Sequence, residues 1–260
     1  MSKKEHLRDI QSEPDHRNIS INRVGVKDIS YPVVVLDPTQ GKQHTVARIN
    51  MYVNLPHHFR GTHMSRFVEI LNRYRKGIST QNIREILSDM KNDLEAETAH
   101  FEIEFPYFIT KEAPVSGVRA KMEYNCRLSA SSDDDFYSLE VRVPVLSLCP
   151  CSREISDYGA HNQRSYISIK IRASSIVWIE DIVSIAERSA SSEVFAILKR
   201  EDEKYITEKS YENPVFVEDM VRNAAEKLRK LRGILWFSVE SENIESIHNH
   251  SAYAQIEMYS

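Results

Sequence analysis

Ser147-Leu-Cys-Pro-Cys-Ser-Arg-Glu-Ile-Ser-Asp-Tyr-Gly-Ala-His-Asn-Gln-Arg-Ser165 gathers two of the chain's three cysteines and a histidine into one connection. Before it, Leu139, Val141, Val143 and Val145 alternate with Glu140 and Arg142; after it, Tyr166-Ile-Ser-Ile-Lys-Ile171 alternates in the same way. Alternation of apolar and polar residues predicts a half-buried strand on each side, so the stretch is a connection between strands. Pro150 has no backbone N–H to give to a ladder and stops the incoming strand.

Thiolate and imidazole are the side chains that bind zinc and similar borderline-soft metals. Cys149-x-Cys151 followed by His161 does not match the spacing of a structural zinc site, and four ligands cannot be counted inside the connection. An open site completed by distant side chains, as catalytic metals require, is one reading. A pair of inert buried cysteines with a histidine that ties a turn is the other, because free cysteine is among the most buried residue types.

The rest of the composition narrows the class. A chain of 260 residues can bury a proper core as one large domain or two small ones, and 41% hydrophobic with 28% charged residues is ordinary for a soluble globular protein. The net charge of −4 gives no basic excess for a nucleic-acid partner, so a bound polyanion should be small and met locally. Three cysteines, two of them one residue apart, make no disulfide framework, and no apolar run or leader pattern points to a membrane. The expectation is a protein of the reducing cytoplasm. None of the seven glycines forms a Gly-x-Gly-x-x-Gly or Walker-type loop, so a nucleotide would have to be held by side chains.

Along the chain, residues 1–30 lack periodicity and read as an arm. Val33–Leu36 and Thr45–Val53 read as strands, and Asn54-Leu-Pro-His-His58 breaks the second before Arg60-Gly-Thr-His-Met-Ser-Arg66. That cationic, histidine-bearing segment suits a loop near an anion, and equally a polar lead-in to a helix. Met64, Phe67, Val68, Ile70, Leu71 and Tyr74 fall at helical spacing; Ser79-Thr80 opens a second helix with Ile83, Ile86, Leu87, Met90 and Leu94 on one face. Strands are expected at Ala99–Phe105 and Gly117–Leu128, which makes Cys126 a strand residue, with an acidic hairpin tip at Ser131–Asp135.

After the motif the order recurs: a helical stretch from Ile179 to Leu198, a helix from Val215 to about Leu231, and strands at Leu235–Glu240 and Ala252–Met258. Two α+β halves sharing one sheet system follow from that repetition, with boundaries expected at 31–135 and 136–260. The run Lys199-Arg-Glu-Asp-Glu-Lys-Tyr-Ile-Thr-Glu-Lys-Ser-Tyr-Glu-Asn-Pro214 reads as a solvated charged connection. Glu245, His248 and His250, between the last two strands, have the composition of a proton-transfer site or of groups supporting a metal.

The motif Ser147–Ser165 resembles the signature of the type IB GTP cyclohydrolases, prokaryotic enzymes that open the folate pathway. Arg60–Phe67, Lys199–Glu203, Tyr211–Pro214, Phe216–Val221 and His248–His250 are similar to further segments of that family, so the resemblance covers nearly the whole chain. It implies a tunnelling fold (T-fold): two ββααββ-like modules in one continuous bimodular subunit, antiparallel sheets with helices on one face, and a homotetramer with active sites between chains. It also implies roles. Cys149, His161 and Glu203 match the positions that bind a divalent metal, Zn²⁺, Mn²⁺ or Fe²⁺, and Cys149 is counted among the catalytic positions with Glu245, His248 and His250. Glu218 matches the carboxylate that grips the amidine edge of a purine or pterin, and Arg60, Arg66 and Arg164 are candidates for the triphosphate by charge. The implied reaction converts GTP and water to formate and 7,8-dihydroneopterin triphosphate. The alternatives are an archaeal-type Fe²⁺ enzyme giving a cyclic phosphate and a non-catalytic scaffold with a structural metal.

Overall fold

The computed structural model describes residues 9–11, 13–74, 77, 78 and 82–259, so the expected helix opening at Ser79-Thr80 and the first eight residues of the arm lie outside the described residues. The chain packs as two compact units, residues 1–104 with 129–137, and residues 105–128 with 138–260.

In the first unit, β1 (Ile21–Asp37) pairs antiparallel with β2 (Gly41–Leu55), and β2 with the start of β3 (Ala99–Glu112). Strand β1 takes in the last ten residues of the expected arm, Ile21–Ser30. Its register shifts between Ile21 and Val24 and again between Val26 and Ile29, and such bulges break the period-two pattern by which a strand is recognised in sequence. Gly25 lies so close to β2 that an added Cβ would stand 1.9 Å from the Met51 carbonyl oxygen, which explains the glycine at that bulged edge. The earlier part of the arm runs beside the histidine-bearing loop: Asp15 N–H donates to the His58 carbonyl, Arg60 N–H to Glu13 and Gly61 N–H to Gln11.

Between β2 and β3 come α1 (Met64–Arg73) and α2 (Ile83–Asp93). Phe67, Ile70 and Leu71 on α1, and Ile83, Ile86, Leu87 and Met90 on α2, form buried stripes at helical spacing. Phe67 is fully buried, and truncating it to alanine is expected to cost about 3–5 kcal/mol.

The second unit holds the remainder of β3 and most of β4 (Arg119–Ser131), then β5 (Ser138–Leu148), α3 (Pro150–Ile155), β6 (Asn162–Ala173), α4 (Ile179–Glu187), β7 (Ser192–Glu193), α5 (Arg200–Glu212), α6 (Val217–Leu228), β8 (Ile234–Asn243) and β9 (Ala252–Tyr259). Strand β5 pairs with β6, β6 with β8 and β8 with β9, all antiparallel, and the two-residue β7 adds to β5. The chain is α+β, an antiparallel sheet of nine strands among the described residues with helices on one face. Cys126 is a buried residue of β4, and burial pushes its thiol far above the ordinary range.

Two expectations for this unit need correction. The helical stretch from Ile179 to Leu198 ends at Glu187, because a run of small polar residues follows; Ser189 Oγ donates to the Ile185 carbonyl at 2.7 Å, and Ser191 N–H leaves the helix for the Leu146 carbonyl. The charged run after Lys199 is not a connection but helix α5. Its N-terminus is set by Asp202, whose carboxylate accepts the Lys199 N–H at 2.8 Å, and Asp202, Ile206 and Ser210 give it a buried face at helical spacing.

Asp202 also anchors the turn after β3, accepting from Val115 N–H and Ser116 N–H, both at 2.9 Å, and from Ser116 Oγ at 2.6 Å. In the same unit, Lys111 Nζ reaches Glu187 Oε1 at 2.5 Å, and Tyr124 donates to the same oxygen at 3.1 Å. Among the described residues no helix is long and apolar enough to cross a membrane.

Candidate active site

On three neighbouring strands the inward-facing positions change from apolar to polar at the same end. Strand β5 runs Val141, Val143, Val145 and then Ser147; β6, read backwards, runs Ile169, Ile167 and then Ser165 and Gln163; β8 runs Phe237, Val239 and then Ser241 and Asn243. All five polar residues are buried, and Ser147 faces Gln163 in register while Ser165 faces Asn243. Buried polar groups need partners; Ser147, Gln163 and Asn243 bond to one another, Ser241 Oγ donates to Met220 Sδ at 3.3 Å, and Ser165 Oγ and Asn243 Oδ1 are left without a hydrogen-bond partner among the described residues. Ser147 Oγ lies 3.1 Å from the Val215 carbonyl, accepts from Asn243 Nδ2 at 3.1 Å and is reached by Gln163 Nε2 at 3.4 Å.

This polar end supports the cysteine motif. Cys149 is the N-cap of the short helix α3, with Pro150 in the first turn where a missing N–H costs nothing. Ser152 N–H donates to Cys149 Sγ at 3.4 Å, and Ser152 Oγ accepts the His161 N–H at 3.2 Å, so one serine touches both expected metal ligands. Cys149 N–H donates to the His161 carbonyl at 3.1 Å. The His161 ring is held through Nδ1, which lies 2.8 Å from Gln163 Oε1 and 3.8 Å from Glu245 Oε2. Cys151, by contrast, is exposed.

The structure links Cys149 to His161 through Ser152 and sets Glu245 beside the His161 ring. His248 and His250 stack at 5.2 Å in the exposed loop after β8, a few residues beyond Glu245. Glu203 stands exposed on α5, next to the buried Asp202, and Arg153 of α3 lies 4.8 Å over the ring of Tyr211 on the same helix. Glu218 is exposed in the first turn of α6; the segment before it is tied to the motif because Val215 N–H donates to the Leu148 carbonyl. Arg164 is an exposed residue of β6. The other two arginines belong to the first unit: Arg60 pairs with Glu13 at 2.8 Å, and Arg66 donates to the Asp93 carbonyl at 2.7 Å. Among the described residues no three His, Cys, Asp or Glu side chains converge closely enough to hold a metal ion.

The donor set nevertheless fits a divalent metal in its chemistry: a sulfur oriented by a backbone N–H, and an imidazole whose Nδ1 is engaged so that Nε2 is left to coordinate. Gln163, Ser152 and Ser147 are the site residues that motif reading passed over. Gln163 and Ser147 show in the sequence only as polar residues at positions that alternation assigns to the core, which does not reveal their role, and Ser152, on α3, carries no such signal.

Solved structures similar in fold include uricase from Arthrobacter globiformis, with a TM-score of 0.52 and 9% identity over 92% of this chain and 93% of that one. Uricase from Bacillus fastidious aligns with a TM-score of 0.53 and 7% identity over 94% of each chain. At such identity the likeness is one of fold alone, and the class it defines is the tunnelling fold. Within that class the chain belongs to the type I GTP cyclohydrolase FolE2 family, whose profile matches residues 7–254. GTP cyclohydrolase FolE2 of Geotalea uraniireducens (strain Rf4) is 60% identical over 252 residues, spanning 96% of this chain and 93% of that protein. The FolE2 protein of Geobacter sp. (strain M21) is 59% identical over 256 residues, spanning 98% and 96%.

Proposed function

We propose that the chain is a metal-dependent type IB GTP cyclohydrolase in which Cys149, His161 and Glu203 hold the metal. The observation that carries the site assignment is the arrangement of His161, fixed through Nδ1 by Gln163 and joined to Cys149 through Ser152. A bound divalent metal with an open position supplies activated water near neutral pH.

The remaining work falls to side chains. Glu218 accepts two parallel N–H bonds from guanine N1 and N2, a pairing that fixes the base in its own plane. Glu245, His248 and His250 deliver and remove protons. One of them protonates the ring nitrogen released as the bond to C8 breaks, and the same groups serve the later rearrangement and reclosure of the ribose carbon chain. Net, GTP and one water give formate and 7,8-dihydroneopterin triphosphate. Arg164, Arg60 and Arg66 remain the candidates for the triphosphate by charge; the pairing of Arg60 with Glu13 means that a phosphate there would have to displace a carboxylate.

The active form is a homotetramer with sites between chains, in the cytoplasm. Support comes from apolar side chains exposed around the motif: Ile155 at 84%, Tyr158 at 100% and Ile247 at 64% relative exposure are the kind of surface that a second copy covers. A solution mass near four times that of the chain is the expected result.

The test of the activity is incubation of chelated protein with GTP and Zn²⁺, Mn²⁺ or Fe²⁺ in turn, followed by formate and by pterin fluorescence. A product carrying a cyclic phosphate would mark the Fe²⁺ archaeal-type reaction. Unfolding on chelation, without turnover under any metal, would mark a scaffold.

A further inference from the structure

We propose that Ser147 and Gln163 are positioning residues that lock the proton of His161 onto Nδ1 and so keep the Nε2 lone pair bare. The inference rests on the reading of His161 as a metal ligand and extends it to residues behind the site.

The direction of every hydrogen bond in this relay follows from its far end. The Val215 carbonyl can only accept, so at 3.1 Å the Ser147 hydroxyl donates to it. With its one proton spent, Ser147 Oγ can only accept, and it takes N–H groups from Asn243 Nδ2 and Gln163 Nε2. The amide nitrogen of Gln163 therefore faces Ser147 and its oxygen faces His161. An amide oxygen also only accepts, so at 2.8 Å Nδ1 must carry the proton. Glu245 Oε2, at 3.8 Å from the same nitrogen, is too far for a hydrogen bond but favours a proton there.

The reversed arrangement fails at one point. A flipped Gln163 would set its oxygen against Ser147 Oγ with no proton between them, unless Ser147 turned away and abandoned the Val215 carbonyl. Ser147, Gln163, Asn243 and Val215 are all buried, so water cannot repair the loss. Free histidine in water favours the opposite tautomer, with the proton on Nε2, and that form cannot bind a metal through Nε2. The burial of four residues thus settles a choice that the ring alone would make the other way.

The experiment uses full-length, metal-free protein labelled with ¹⁵N at histidine, at about pH 8 where an ordinary imidazole is neutral. His161 is assigned by comparison with His161→Gln. The parent should show a protonated Nδ1 and a bare Nε2. Gln163→Met, which keeps the bulk and loses the acceptor, should bind Zn²⁺ roughly 10- to 100-fold more weakly than the parent, and Gln163→Glu should recover most of that loss by restoring an acceptor. Ser147→Ala leaves Gln163 in place but frees it to flip, so His161 should show both tautomers. A proton on Nε2 in the parent overturns the proposal, as does parental Zn²⁺ affinity in Gln163→Met; a single Nδ1-protonated form in Ser147→Ala removes Ser147 from it. If Gln163→Met does not fold, the parent spectrum and Ser147→Ala still decide. The tautomer is read without metal or GTP, so a protein that turns over no GTP yet shows the Nδ1 proton would defeat the proposed function and leave this inference standing.

Discussion

Cys149 N–H donates to the carbonyl oxygen of His161 at 3.1 Å, carrying the β5–β6 ladder one rung past its last strand pair, Leu148 opposite Asn162. The two expected metal ligands are therefore held in register by main chain, and neither depends on the thiol for its place.

It follows that Cys149→Ala should remove turnover and leave the fold intact. What the sulfur does for the fold is accept a long hydrogen bond from Ser152 N–H at 3.4 Å, comparable to a weak cap worth about 0.5–1 kcal/mol. Cys151 is exposed, so Cys151→Ala should retain most of the activity. Assaying both variants beside their melting curves decides the matter: equal loss of activity at the two positions, or insoluble protein at Cys149 alone, would end the distinction.

Glu203→Ala should lower metal affinity by roughly an order of magnitude or more, with activity partly restored by excess metal. Because Glu203 is exposed on α5, the stability of the apo protein should stay within about 0.5 kcal/mol of the parent. Side-by-side titration of apo parent and apo variant is the check. Superimposable curves would return Glu203 to the solvated face of its helix and bring Glu245, already beside His161, forward as the carboxylate ligand.

Glu218→Gln should act on binding. One acceptor survives, but the other becomes a donor facing guanine's donors, and the loss of a charge-assisted bond of about 1.5–3 kcal/mol corresponds to a rise in KM of roughly tenfold or more. Steady-state kinetics with GTP measure it directly, and an unchanged KM takes Glu218 out of the base site.

Asp202 sets an acid limit on the second unit. Burial opposes its ionisation, but hydrogen bonds from the Ser116 hydroxyl, the Ser116 N–H, the Lys199 N–H and the Val115 N–H outweigh burial and hold the carboxyl far below the ordinary value of 3.8. A folded-state value below the unfolded one means stability that is fully present above about pH 4 and lost as the pH falls towards the depressed value. Asp202→Asn should lower Tm by at least ~3 °C at neutral pH and flatten the dependence below about pH 4. Thermal melts of both proteins from pH 7 to pH 3 test this; parallel curves would show that the carboxylate's charge is not what holds the turn.

What the sequence made legible tracks the physics of each segment. Strands with clean alternation, such as β5 and β6, and helices with continuous apolar stripes, such as α1 and α2, could be placed within a few residues. Strand β1 was hidden from Ile21 to Ser30 by two bulges, and α5 was hidden because its buried face is carried partly by Asp202 and Ser210, which count as polar in any pattern of hydrophobicity. Cys149, His161 and Glu245 could be named from residue type and family resemblance. Gln163 and Ser147 could not, since their importance lies in which way a hydrogen bond points, and that is set by partners as distant in sequence as Val215 and Asn243.

The grip of Asp202 on Val115 and Ser116 has a reach beyond stability. Glu203 is the next residue along, so the turn that closes the β3–β4 hairpin is a strut beneath the helix from which that glutamate projects. Lengthening the turn by a residue, or replacing Ser116 with a side chain that cannot donate, leaves every residue proposed to hold GTP or metal unchanged. With Glu203 as a metal ligand, as proposed, the effect of either change is expected to be slackened metal retention, a symptom of the active centre caused by a surface bend some ninety positions earlier in the chain.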